Sequence, residues 1–194
     1  MNRCSLSALL FAATIVGNAY AATGNLVVFD DADQNGFNHA AANCSTNSFF
    51  GETTTVYSGT AAVAISKMQD NNGAGWAAPV AYSASSDYDG VTFWVNSGNS
   101  PSTLTSLAVY DASFNPHFMH LEDQYGGPLP AATWIQFHVP FSSPLFAAAL
   151  STSPDTVQTI CVITHSPSGS GSDYLYLDQV SLSGADIFKN GFDN

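Results

Sequence analysis

Four stretches of the chain alternate with a period of two, and this limits the fold more than any other feature. Val91, Phe93 and Val95 alternate with Thr92, Trp94 and Asn96, and Leu107 and Val109 with Ala108 and Tyr110. Met119 and Leu121 alternate with Phe118, His120 and Glu122, and Ile135, Phe137 and Val139 with Trp134, Gln136 and His138. Successive side chains of a strand point to opposite faces, so each aliphatic set defines a core face. Similar β-rich runs put strands near 25–30, 53–57, 60–67, 77–82, 89–96, 104–111, 117–122, 133–139, 157–164 and 173–182. Turn residues separate them, as at Asn71-Asn72-Gly73, Gly126-Gly127-Pro128 and Ser166-Pro167-Ser168-Gly169. One helical turn is expected over 143–150. There is no heptad pattern and no repeat of solenoid length. Many short strands with regular turns read as an all-β sandwich or barrel.

Arg3 precedes an apolar run through Leu6, Leu9, Leu10, Phe11, Ile15 and Val16, and Ala19-Tyr20-Ala21 fits a small-x-small cleavage site. Residues 1–21 are therefore expected to be a cleaved signal peptide, too short for a comfortable membrane span. The domain is expected over 22–184, with a tail at 185–194. After cleavage two lysines, Lys67 and Lys189, stand against fifteen acidic residues, a net charge of -13. A chain this acidic is repelled by nucleic acid and by anionic membranes. Lacking arginine, it has no bidentate clamp for phosphate or carboxylate, which weighs against kinases, nucleases, nucleotide binders and uronate lyases. Two cysteines remain, Cys44 and Cys161, and an even count in an exported chain points to a disulfide. It would close a loop worth up to about 4–5 kcal/mol in the chain-entropy model. Location is expected to be secreted or extracellular, with the periplasm as an alternative.

Val28-Phe29-Asp30-Asp31, Asn35-Gly36-Phe37, Val56-Tyr57-Ser58-Gly59-Thr60, Val91-Thr92-Phe93-Trp94-Val95, Trp134-Ile135-Gln136-Phe137-His138-Val139-Pro140-Phe141 and Tyr176-Leu177-Asp178-Gln179-Val180-Ser181-Leu182 follow one another along residues 25–183. Together they resemble the jelly-roll carbohydrate-binding modules of the galactose-binding-like superfamily. The resemblance implies a two-sheet jelly-roll β-sandwich that is stabilised by Ca²⁺ and binds glycans. It favours Asp30 and Asp178 as side-chain ligands of that ion, with Asp31 secondary. The segment 186–194 also looks like a short C-terminal signature of exported bacterial proteins.

Asp31-Ala32-Asp33-Gln34-Asn35-Gly36 matches the first half of an EF-hand loop, but Ala42 stands where the bidentate Glu belongs. Asp178 interrupts an apolar strand, where a carboxylate needs a partner. A transition-metal site is expected at most from His120, Glu122 and His138, because His117 and His120 are three apart on one strand and face opposite ways. No carboxylate pair, G-x-S-x-G elbow or H-E-x-x-H marks a hydrolase. Trp94, Tyr110, Phe118, His120, Trp134, Gln136 and His138 make one non-core face if their strands are neighbours. Rings stack on the flat C–H faces of sugars, and amide and imidazole groups bond hydroxyls. The favoured reading is a secreted, non-catalytic domain binding a neutral polysaccharide. A small jelly-roll carbohydrate-active enzyme and a structural or adhesive surface protein are the alternatives. Oligomeric state is left open.

Overall fold

The computed structural model describes residues 24–149, 151–165 and 173–184. The expected signal peptide and tail lie outside the described residues. Eleven strands run in chain order as β1 (Leu26–Asp30), β2 (Ala32–Asp33), β3 (Ser48–Glu52), β4 (Ala62–Ser66), β5 (Asn72–Ser83), β6 (Tyr88–Asn96), β7 (Thr105–Tyr110), β8 (Pro116–His120), β9 (Trp134–Pro140), β10 (Thr156–Thr164) and β11 (Tyr174–Gly184). Two short helices, α1 (Leu121–Tyr125) and α2 (Leu145–Ala148), follow β8 and β9. Seven strands form one antiparallel sheet and four the other, in the order β5-β10-β7-β8. The architecture is a two-sheet jelly-roll β-sandwich.

β11 is the spine of the larger sheet. One edge pairs with β6, which in turn pairs with β9. Its other edge pairs first with β4, through Tyr174 to Leu177, and then with β1, through Val180 to Leu182. Between the two partners lies a bulge at Asp178 and Gln179, with Gln179 at φ 48°. The extra residue keeps both side chains off the core side, while Leu177 and Val180 on either side of them are buried.

The core faces read from the alternation are core faces in the fold. Val91, Phe93, Val95, Leu107, Val109, Met119, Leu121, Phe137 and Val139 are all buried between the sheets, with Phe29 and Trp76. Each such side chain contributes about 1.5–3 kcal/mol on leaving water. Cys44 and Cys161 are disulfide-bonded, with Cα atoms 6.2 Å apart. The bridge lies on the outer side of the smaller sheet with Ala42, Ala108 and Ile163, and Tyr110 and Phe118 pack against it. A side chain at Gly75 would overlap both sulfurs, so only glycine leaves room for the bridge on β5.

Three expected elements are corrected. Residues 53–57 are not a strand; the strand is β3, just before them. Glu52 Oε1 accepts the amides of Thr54 and Thr55 at 2.6 and 3.2 Å, which turns the chain out of the sheet. The strand expected over 117–122 stops at His120, and Leu121 opens α1, which Gly126 caps at φ 88°. β5 starts at Asn72, so the turn signal there belongs to Asn71, at φ 62°, and not to the whole triplet.

Lys67 is wholly buried. Its ammonium donates to the carbonyls of Ser97 and Ser100, each at 2.8 Å, and pairs with Asp173 at 3.0 Å. Asp173 also accepts the Ser100 hydroxyl and the Asn99 amide. This satisfied pair ties the β6–β7 loop to the start of β11.

Candidate functional site: the outer face of the larger sheet

The outer side of the larger sheet carries Thr92 and Trp94 from β6 and Trp134, Gln136 and His138 from β9, with Trp94 paired to Gln136 and Thr92 to His138. β11 adds Gln179, Ser181 and Ser183. Across this face runs the segment 53–61, whose first part, 53–57, is expected from the sequence to be a strand, and which carries Tyr57. The Tyr57 ring stacks on Trp94, centroids 3.7 Å apart at 16°, and meets Trp134 edge-on at 5.9 Å. Tyr57 is 40% exposed, so its free side and Trp134 are the rings presented to solvent. Beside them is a cleft of about 260 Å³ lined by Asn25, Asp30, Trp94, Gln136, Gln179 and Ser181 among others. His138 Nδ1 contacts the hydroxyls of Thr92 and Ser183 at 3.0 and 3.3 Å.

Two carboxylates hold the Tyr57 segment in place. Asp178 Oδ2 accepts the amides of Tyr57 and Ser58 at 2.9 and 3.2 Å, and its Oδ1 accepts that of Gln179 at 2.8 Å. Asp31 Oδ1 accepts the amides of Thr60 and Ala61 at 2.7 and 2.8 Å. Gln179 Nε2 donates to Ser58 Oγ at 2.6 Å. Burial pushes the Asp178 carboxyl up, against the pull of its three amides and with the charge of Asp30 adding to the rise. Asp31 is held below the ordinary carboxylate range by the Ala61 and Thr60 amides.

The seven expected platform residues do not share one face. Trp94, Trp134, Gln136 and His138 come together. Tyr110, on β7, and Phe118 and His120, on β8, belong to the smaller sheet and its outer side. The period of two fixes which way a side chain faces within its strand, but not which sheet the strand joins. Tyr110 and Phe118 cover the disulfide, and His120 Nδ1 contacts Ser106 Oγ at 3.1 Å. His138 is thereby separated from His120 and Glu122. Glu122 is buried, accepts the Thr105 amide at 2.8 Å, and is pushed up by burial. Among the described residues no three His, Cys, Asp or Glu side chains cluster as a metal centre. Asp30, Asp31 and Asp178 lie near one another along the β1–β11 seam, but Asp31 and Asp178 turn their oxygens to amides.

The fold and this face define the class: a jelly-roll β-sandwich with an aromatic platform on one open sheet. No protein-family model matches the chain, and no curated protein does. Solved structures do match it. An exo-β-agarase aligns at 12% identity over 84% of this chain and 25% of its own, with TM-score 0.52. The family 11 carbohydrate-binding module of Clostridium thermocellum, in complex with a β-1,3-1,4-mixed-linked tetrasaccharide, aligns at 12% identity over 84% of this chain and 98% of its own, with TM-score 0.48. The CBM22-1-GH10 modules of endo-1,4-β-D-xylanase 10B from the same organism, complexed with xylohexaose, align at 12% identity over 85% of this chain and 28% of their own, with TM-score 0.46. At these identities the likeness is one of fold. This chain spans about a quarter of the length of the agarase.

Proposed function

We propose that this domain is a secreted carbohydrate-binding module that holds a neutral polysaccharide on the outer face of its larger sheet. The observation that carries the reading is the Tyr57–Trp94 stack with Trp134 at its edge, beside a cleft to which Asn25, Gln136, Gln179 and Ser181 bring amides and a hydroxyl. Sugar rings stack on the first group and hydrogen-bond to the second. Neutral ligands are favoured because Lys67, the one Lys or Arg among the described residues, is buried in an ion pair. An anionic glycan would meet the Asp30 carboxylate and, among the residues lining the cleft, no cation to offset it. Asp30 is the one acid among the described residues lining the cleft, whereas glycoside hydrolysis takes two carboxyls. Secretion accords with the disulfide, which belongs to an oxidising compartment.

A calcium ion beside Asp178 belongs to this reading through residue type. Asp178 Oδ1 retains a lone pair beyond its bond from Gln179, and the charge of Asp30 bears on it. Because the amides already satisfy most of the carboxylate, such an ion would draw its other oxygens from backbone and water.

Affinity electrophoresis against a panel of neutral and anionic polysaccharides tests the function. The parent is expected to be retarded by a neutral polymer. Tyr57→Ala and Trp134→Ala should each weaken that by about 1 kcal/mol, roughly fivefold. Unchanged retardation in both variants would place the ligand elsewhere. Release of sugar from the retained polymer would favour an enzyme.

A further inference from the structure

The outer face of the larger sheet does not end at Trp134 and Tyr57. A second cleft of about 380 Å³ opens towards its opposite edge, lined by Asn47, Phe49, Ser66, Met68, Gln69 and Tyr174 among others. Phe49 and Met68 are 58% and 54% exposed. Phe49 lies on the edge strand β3 and Met68 just beyond the end of β4, and large apolar side chains grouped at a sheet edge are an aggregation liability unless they serve contact with a partner.

Register ties this cleft to the first. Phe49 pairs with Ala64, Ala64 with Tyr176, Tyr176 with Asn96, and Asn96 with Trp134. One cross-strand row therefore runs over β3, β4, β11, β6 and β9. Four steps between neighbouring strands span about 19 Å at ~4.8 Å each, the length of a short oligosaccharide and not of a single ring. Tyr174 and Tyr176, with ring centroids 6.2 Å apart, lead from the row into the second cleft. Between the two ends lies the Tyr57 segment, whose Thr55 side chain bonds Tyr176. The chemistry repeats on each side of that segment: exposed apolar side chains set among primary amides and hydroxyls, with no cation.

We propose that the Phe49–Met68–Tyr174 cleft is a distal subsite for the same glycan, so that the domain grips an internal stretch of polymer laid across its strands. This rests on the carbohydrate-binding reading above and adds to it the direction of the chain and a minimum ligand length. Short oligosaccharides fill the Tyr57–Trp134 end alone, and only longer ones reach Phe49.

The test uses the polysaccharide that retards the parent, partly hydrolysed to a ladder of oligosaccharides, with calorimetric titration of each length. Parent affinity should climb with length until both clefts are covered. In the Phe49→Ala, Met68→Ala double variant it should level off earlier, about tenfold weaker for the longest ligands and within twofold for the shortest. Both positions are exposed, so the variant is expected to fold, and Phe49→Trp should restore the long-ligand affinity. Equal affinity of parent and double variant at every length, with Trp134→Ala still defective, overturns the subsite and leaves the first reading standing. If the parent binds no member of the panel, or Trp134→Ala and Tyr57→Ala bind as well as the parent, the first reading fails and the subsite with it. A parent dimer in sedimentation that Phe49→Ala splits, with ligand affinity unchanged, assigns the patch to a second copy of this chain and overturns the subsite.

Discussion

Replacing Asp178 by Ala removes the acceptor of three backbone amides at once. Asp178 is fully buried, and the amides of Tyr57, Ser58 and Gln179 reach it at 2.9, 3.2 and 2.8 Å. A hydrogen bond to a charged group nets about 1.5–3 kcal/mol. Two of the donors belong to a surface segment that regains water when it lifts away, and the variant no longer has a carboxylate to desolvate. Both effects bring the loss below the sum of three bonds, to about 3 kcal/mol. For a domain of this length that lowers Tm by about 6–12 °C. The assay is urea unfolding followed by tryptophan emission, with Asp178→Asn as control. The amide oxygen of Asn still accepts from the Tyr57 segment, so its loss should be about half. Polysaccharide affinity should fall in step, because Tyr57 is no longer held against Trp94. An Asp178→Ala variant within 0.5 kcal/mol of the parent would refute the reasoning, since the three amides would then find water at no cost. The same urea unfolding curves, run with chelator and with added Ca²⁺, test the ion. A rise on adding Ca²⁺ that Asp178→Ala abolishes supports a cation beside the amides, and a curve indifferent to both removes it.

Two further outcomes follow from other parts of the fold. Reducing the Cys44–Cys161 bridge opens a loop spanning 117 positions and should lower stability by up to about 4.9 kcal/mol in the chain-entropy model, read as a fall in the urea midpoint. In the folded protein the bridge should resist reductant, as Cys161 is fully buried. Asp111 is held at about 2, first by the Asn115 side chain and then by the Asn115 amide. Its folded value lies below its ordinary 3.8, so the stability it contributes is present above 3.8 and lost as pH falls through about 2. Asp111→Asn should flatten that acid limb in a series of urea midpoints against pH, and an unchanged slope would refute the assignment.

Much of this was legible in the chain. The alternation of Val91, Phe93 and Val95, and of its three companions, reports burial directly, since one face of a strand is dry and the other is not. Asp178 was legible as a carboxylate that needs a partner. The identity of that partner was not, because the amides come from a segment some 120 positions away. Sheet membership was hidden for the same reason. Tyr110 and Phe118 alternate as Trp94 does, yet long-range pairing sends their strands to the opposite layer. Tyr57 was misjudged because Thr53-Thr54-Thr55-Val56-Tyr57 is a β-branched run that propensity reads as strand. A single local interaction, Glu52 accepting the amides of Thr54 and Thr55, overrides it. β3 was missed because Gly51 breaks the pattern where the strand bulges.

The buried Lys67 bears on how long the domain survives proteolysis. Trypsin-like proteases cut after lysine and arginine, and between residues 24 and 184 the chain contains one such residue, Lys67. Its ammonium is enclosed by Ser97, Ser100 and Asp173, and its backbone amide donates to the Asp173 carbonyl at 3.0 Å. No protease subsite can engage that bond until the loop from β6 to β7 and the start of β11 have come apart. Cleavage by these enzymes is therefore governed by the domain's own opening: where reclosing outpaces cleavage the rate follows the population of the open form multiplied by the amount of protease, and where cleavage outpaces reclosing it is set by the opening rate alone. Chymotrypsin-like enzymes meet the opposite situation, since Phe49, Tyr57 and Phe114 are each well exposed. Two of these, Phe49 and Tyr57, lie on the surface proposed to hold glycan, and a bound polymer would shield them.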